Sequence, residues 1–344
     1  VSKSHERNPH LSRRKALLAG GAALAVAGAT PLRFAHAAEF NLKLAHPFPE
    51  GHPSTIRAAE AAKAIDEQSS GRVQLRVFPN SQLGSQADTI NQVRSGAIDI
   101  TAQSVAVLAT IAPSASVVGT AFAFPNYDTV WKAMDGELGA HIRNDFTNAN
   151  LVAMDSFWDS GYRHITSSTR PIVTPDDLKG FKIRVPTSPA WVILFKSLGA
   201  APTSLDLSEL YSALQTKIVD GQENPIPTFA TAKLHEVQKY CSMTGHIWDG
   251  TGVVANRRSW QKLPADMQAI VARNLNEAGL KQRKDLIEVT DTMKAELTTK
   301  GLIFNQPELA PFRKRLVDAG YYSEYKAKYK PETWALLTKY VGTI

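Results

Sequence analysis

Two arginines and an amide are the residues of this sequence best suited to holding an anion. Arg184 lies in KGFKIRVP, Lys179 to Pro186. Phe181, Ile183 and Val185 alternate with Lys182 and Arg184, the period of a half-buried strand. Pro186 cannot donate to a sheet ladder and closes that strand. A guanidinium offers five donors in a planar fork, which meets a carboxylate two bonds at a time. Residue type alone favours an ordinary surface arginine; the surrounding chain changes those odds. Arg163 lies in DSGYRHITSS, at the start of another expected strand. Asn224, in GQENP, stands beside an expected turn and can both donate and accept. Phe48, Trp158, Trp191, Phe229 and Trp248 lie nearby in sequence, although core packing accounts for any one of them taken alone.

Signatures of turnover are scarce. The sequence has no G-x-S-x-G, no H-E-x-x-H, no G-x-x-x-x-G-K-[ST] and no G-x-G-x-x-G. His46 and His52 share a Pro-containing loop without an acid and a cysteine to complete a metal set, so structural roles are expected for both. Gly250-Thr251-Gly252 is too short for a phosphate loop. What remains is a set suited to holding an anion, and it calls for no cofactor and no metal. Cys241, the only cysteine, excludes an intrachain disulfide and reads as buried filler.

The 344 residues suit two domains rather than one small core. The net charge of +7 is no signal for nucleic acid, because residues 1–37 hold six basic side chains against one acid and leave the remainder at +2. That first stretch reads as an export signal. Ser12-Arg13-Arg14-Lys15 precedes the 14-residue apolar run Ala16 to Ala29, too short for a membrane span, and Ala35-His36-Ala37 offers a cleavage site. The paired arginines resemble a twin-arginine signal, with an ordinary secretory signal as the alternative. A periplasmic protein, beginning near Ala38, is the expectation.

The elements that must position the anion-holding residues follow from periodicity. Strands are expected at Phe40–Ala45, Val73–Phe78, Ile98–Ala102, Leu151–Phe157 and Phe181–Val185. Helices are expected at Ser54–Gln68, from Leu83 through Val93, and at Pro189–Leu198 and Ser208–Thr216. Strand, helix, strand in this rhythm argues for an open α/β sheet. From Pro264 to Lys300 apolar residues recur three or four apart, which predicts one helix spanning two domains, or two helices broken at Gly279.

Taken together, these residues carry a family resemblance. From about Ala38 to the region of Tyr325 the chain resembles the solute-binding proteins of tripartite ATP-independent periplasmic (TRAP) transporters, the dicarboxylate-binding DctP-type family. The motifs are NSQLG (Asn80–Gly84) followed by VRSGAIDI (Val93–Ile100), then KGFKIRVP, then SALQTKIVDGQENP (Ser212–Pro225). TGHIWDG (Thr244–Gly250) and SWQKLP (Ser259–Pro264) resemble later segments. The resemblance implies a two-lobed periplasmic-binding-protein clamshell with hinge strands and a long helix spanning both lobes. The lobes would be 38–159 with about 249–285, and 160–248 with about 286–344.

The resemblance further implies capture of an organic acid and its delivery to small and large membrane subunits. By that resemblance Arg184 salt-bridges the ligand carboxylate, Arg163 and Asn224 also reach it, and Gln103, Trp158, Thr187 and Phe48 line the pocket. Sialic-acid members carry a glutamate, an arginine and an aromatic where this sequence has Gln103, Ala106 and Leu207. The aromatic supply leans towards an acid with an apolar or aromatic body. A monomer is expected, and a sensor-linked binder or an exported enzyme acting on a small acid are the alternatives.

Overall fold

The structure, a computed structural model, describes residues 38–344; the expected export signal lies outside the described residues. Phe40–Ala45 (β1) and Val73–Phe78 (β2) pair in parallel on either side of the helix Pro53–Gln68. The next helix, Gln86–Ser95, opens on a reciprocal capping box between Ser85 and Asp88 and ends at Gly96, φ 86°. Ala97 and Ile98 still bond to Gln92 O, closing that helix. The strand Ile100–Ser104 (β3) therefore starts two residues later than the alternation suggests. Leu151–Ala153 (β4) is also shorter than expected, because Ser156 N turns away to Asn276 Oδ1.

Six more strands follow: Trp158–Ser167 (β5), Lys182–Val185 (β6), Ala201–Ser204 (β7), Gly221–Asn224 (β8), Tyr240–Asn256 (β9) and Ile303–Asn305 (β10). All join one sheet in the order β2-β1-β3-β9-β5-β8-β6-β7, with β4 and β10 also on β9. The 17-residue β9 pairs with β3 and β4 through its C-terminal part and with β10 and the end of β5 through its start. β5 and β9 thus run through both halves of the sheet. Their register slips between Asp159 and Gly161 and again between Arg163 and Ile165. Such bulges bend and twist a ladder locally. At the first of them Gly161 adopts φ 103°, a conformation suited to glycine.

The long helix is continuous over Ala265–Thr299, 35 residues, or roughly 52 Å at 1.5 Å per residue. Gly279 does not break it. A Cβ there would stand 2.5 Å from Trp158 Cδ1, so the glycine admits close packing of helix on strand. Met267, Val271, Leu275 and Ala278 enter one core with Leu42, Leu44, Leu75 and Trp158. Leu297 enters another with Leu210, Leu214, Phe229 and Cys241. Arg57 clasps Asp285 with two bonds, and Arg283 clasps Asp135 while lying 3.7 Å over the Trp131 ring.

The tail then crosses the molecule. Helices Ala310–Asp318 and Tyr321–Lys326 lie on Pro189–Ser197. The last helix, Pro331–Val341, returns to Tyr127–Met134 and Glu137–Asn148, where Trp334 and Leu337 join a core with Val130, Met134 and Phe146. Among the described residues no helix is long and apolar enough to cross a membrane.

Candidate ligand-binding site

Where the inner strands meet, a cavity of about 30 Å³ opens. β6 turns Ile183 and Val185 into core and Arg184 towards this cavity, leaving the arginine 1% exposed. Its Nε and Nη2 both donate to one carbonyl, Leu205 O, at 2.9 and 2.7 Å. Among the described residues no carboxylate lies within 4.0 Å of it, unlike Arg163. Burial, and then the neighbouring Arg163, hold the Arg184 guanidinium down to about 10. Among the described residues it is a buried cation with no counter-charge in contact.

Arg163, also on the cavity wall, is in the opposite state. Its Nε and Nη2 clasp the Glu223 carboxylate, Nη1 donates to Asp249 Oδ2 at 2.9 Å, and Nη2 also reaches Glu223 O and Asn224 Oδ1 at 2.8 and 3.1 Å. Burial alone would lower its pKa, but Glu223 and Asp249 raise it above the usual value. Glu223 further accepts from Trp191 Nε1 at 3.3 Å and pairs with His246 Nε2 at 3.1 Å. Burial pushes the Glu223 carboxyl up, yet Arg163 and His246 bring it below the ordinary range.

Asp249 lines the cavity and accepts Ser104 Oγ at 2.9 Å on both oxygens. Burial pushes its carboxyl up to about 6 against the pull of Arg163 and Ser104. Asn224 lies on strand β8 rather than beside a turn. GQEN stays buried because each polar group finds a partner: Gln222 Nε2 donates to Thr166 Oγ1 at 2.8 Å, and Asn224 Nδ2 donates to Gln222 Oε1.

Of the residues singled out from sequence, Arg184, Arg163, Asn224 and Phe48 meet at this cavity. Gln103 does not line it. Its carbonyl accepts Gln86 Nε2 at 3.0 Å and its amide donates to Thr89 and Thr101, so Gln103 supports Gln86, which does line the cavity. Trp158 is core, packed on the long helix at Gly279. Thr187 is off the wall, its hydroxyl buried without a partner among the described residues. Trp248 packs in a core near Phe124 and Trp131 rather than on the cavity. Of the aromatic side chains behind the lean towards an acid with an apolar or aromatic body, Phe48 alone among the described residues reaches the wall.

Phe48 stacks on His52 with ring centres 4.4 Å apart. His52 in turn caps the helix Pro53–Gln68 by accepting from Ser54 N, and burial holds its pKa down to about 3. Sequence reasoning missed Gln86, Ser104, Ser160, Thr228 and Asp249 on the wall. The available signal was Asp249, an acid inside an apolar stretch with a tryptophan before it.

One contact closes the cavity from the side. Asp206 Oδ2 accepts Gln86 N at 2.8 Å, joining the starts of the helices Gln86–Ser95 and Leu207–Gln215 across 120 residues of sequence.

Comparison with known proteins agrees with this architecture. The protein y4mM of Sinorhizobium fredii is 36% identical over 274 residues, 80% of this chain and 50% of that protein, so the chain spans half the length of that relative. A TRAP periplasmic solute-binding protein of Sulfitobacter sp. NAS-14.1, with bound β-D-galacturonate, superposes with a TM-score of 0.83 at 27% identity, covering 88% of this chain and 100% of that one. One from Sulfurospirillum deleyianum, with bound succinate, gives 0.83 at 30% identity, covering 89% and 100%. Residues 44–326 match the model of DctP, bacterial extracellular solute-binding protein family 7. The chain therefore belongs to that family and has the two-lobed α/β clamshell of the TRAP solute-binding proteins.

Proposed function

We propose that this protein captures an organic acid by its carboxylate in the cavity around Arg184, within the periplasm, and delivers it without turnover to the small and large membrane subunits of a TRAP transporter. The observation that carries the reading is the buried Arg184 guanidinium, bonded to one carbonyl and, among the described residues, to no acid. A carboxylate is the ligand that fills the rest of its fork. Asn224 and Arg163 stand on the same wall, and Phe48 covers the apolar side of the bound acid. The related structures hold β-D-galacturonate and succinate, both carboxylates.

The lobes of this reading are 38–159 with about 249–285, and 160–248 with about 286–344. The last helix ties back onto the first lobe, and β5 and β9 form the hinge. Ligand contacts made by both walls at once favour the closed arrangement. Such a difference lets membrane subunits tell loaded from empty.

A thermal-shift screen with D-galacturonate, succinate and a set of hydroxylated and aromatic acids tests this. An acid present at a hundred times its dissociation constant raises stability by about 2.7 kcal/mol. Arg184→Ala should abolish the shift produced by any hit. An unchanged shift in that variant would remove Arg184 as the carboxylate anchor.

A further inference from the structure

A second cavity, of about 370 Å³, opens on the other face of β5. Successive side chains of a strand point to opposite faces. Arg163 lines the cavity of Arg184, while its neighbours Tyr162 and His164 line this one, so the two stand back to back across β5. The volume falls in the range of small-molecule sites. Much of the wall is aromatic, with Phe122, Phe124, Tyr127 and Tyr162 on it. Tyr162 gives its hydroxyl hydrogen to Phe124 O at 3.2 Å and meets Tyr127 edge to face at 5.2 Å, which fixes both rings. Phe122 sits at φ 55°, a left-handed conformation that is an outlier for a bulky side chain. Its N donates to His246 O at 2.8 Å, and the hydroxyls of Tyr321 and Tyr322 hold Ala121 N and O at 3.2 Å each. Strain of this kind gathers at ligand clamps.

The polar groups left open on that wall are donors. His164 Nδ1 accepts Gly245 N at 3.0 Å, so the ring hydrogen is on Nε2, which makes no hydrogen bond among the described residues. The exposed Arg313 guanidinium lies 5.1 Å over the Phe122 ring and, among the described residues, has no acid within 4.0 Å. Thr290 and Gln306 spend their donors on Leu286 O and Met243 O. No Asp or Glu among the described residues lines the cavity.

We propose that this cavity is a second binding site, separate from the one around Arg184, and that it takes a flat apolar monoanion, an aromatic carboxylate or sulfonate, with the anionic group at Arg313 and the ring against Phe122. A cation would meet Arg313 with no acid to offset it. A neutral apolar molecule would cover the rings and leave the guanidinium without a partner. A second negative charge would lie against aromatic rings and find no second cation on the wall. Arg313 already lies over Phe122, so an acid bonded to it brings its own ring beside that of Phe122.

Calorimetric titration of the full chain with 1-naphthoate tests the proposal, with 1-naphthalenemethanol and 1-naphthylmethylamine as the neutral and cationic counterparts. The parent and Arg184→Ala should bind naphthoate alike, tenfold or more above the alcohol and the amine. Arg313→Glu, at an exposed position, should weaken naphthoate at least tenfold and leave the melting temperature near the parent's. Should that variant fail to fold, Arg313→Gln, which removes only the charge, carries the same expectation. Methionine methyl signals report the location. Naphthoate should move that of Met243, which lines the cavity, and leave those of Met134, Met154 and Met267, which lie in the cores. Loss of naphthoate binding in Arg184→Ala would assign the probe to the other cavity and overturn the second site. Equal affinity for the alcohol or the amine, unchanged affinity in the Arg313 variants, an unmoved Met243 signal, or no binding by the parent would each overturn it as well. None of these results bears on Arg184 as a carboxylate anchor, which the thermal-shift screen decides separately.

Discussion

Arg163 and Arg184 have the same chemistry and opposite situations, and their variants should separate accordingly. Arg163→Ala leaves Glu223 and Asp249 buried without their cation, a loss of roughly 3–5 kcal/mol. Its melting temperature should fall sharply, and a value near the parent's would contradict the network. Arg184→Ala removes a cation whose burial already works against it, so the ligand-free protein should melt at or above the parent temperature while affinity drops by two decades or more. Arg184 was legible in the sequence because strand alternation and Pro186 frame it. The commitment of Arg163 was not, because its acids lie 60 and 86 residues away. Asp159 offers a test with acid. Burial pushes its carboxyl up to about 7, against the bond from Trp248 and the nearby Tyr127, Gly161 and Arg283. A folded pKa above the unfolded one means the parent's contribution is full below about 4 and lost as pH rises towards 7. Asp159→Asn escapes that loss, so its melting temperature relative to the parent should climb between pH 4 and 7 and then level. A difference independent of pH would show that Asp159 does not titrate there.

The elements differ in how openly the sequence announces them. The helix Ala265–Thr299 was readable from its three-and-four spacing and from Pro264. The 17-residue β9 was not, since Gly245, Asp249, Gly250 and Gly252 break any alternation and both faces of the strand are covered. GQEN was not readable as a strand, and Asn224 was placed beside a turn, because four polar or small residues form a strand only when distant partners satisfy them. Gly279 tests the packing of helix on strand. Alanine would gain roughly 1 kcal/mol of helix propensity. Its Cβ, however, would lie 2.5 Å from Trp158 Cδ1 and 2.6 Å from Nε1, atoms of a rigid ring in a filled core. Overpacking of that kind costs typically 1–3 kcal/mol, so Gly279→Ala should be net destabilising in urea titration. A stabilised variant would mean that the helix can slide away from β5. Proline at Leu286, buried in the helix interior, should cost about 3 kcal/mol or more.

At the scale of the whole molecule, the question is what holds the walls together before a ligand does. The contact from Asp206 Oδ2 to Gln86 N is buried, charge-assisted and formed between residues 120 apart in sequence. It also sets an anion at the start of the helix Gln86–Ser95, where the exposed N–H groups favour one. Asp206 has a second duty as N-cap of Leu207–Gln215, accepting from Ser208 and exchanging a capping box with Glu209. Asp206→Ser separates the two. Serine is as good a cap and keeps the box with Glu209, but its short neutral side chain does not reach Gln86 N. A hydrogen bond to a charged group contributes about 1.5–3 kcal/mol, so its loss should shift the balance between closed and open walls roughly ten- to a hundredfold towards open. The ligand-free variant should then show a larger radius of gyration by X-ray scattering than the parent. Saturating ligand should restore the parent's value, and ligand should dissociate faster. Helix content should stay level, because the cap is kept. Equal scattering and equal dissociation rates in parent and variant would show that the latch does not hold the walls, and that closure rests on the ligand and on the β5–β9 hinge alone.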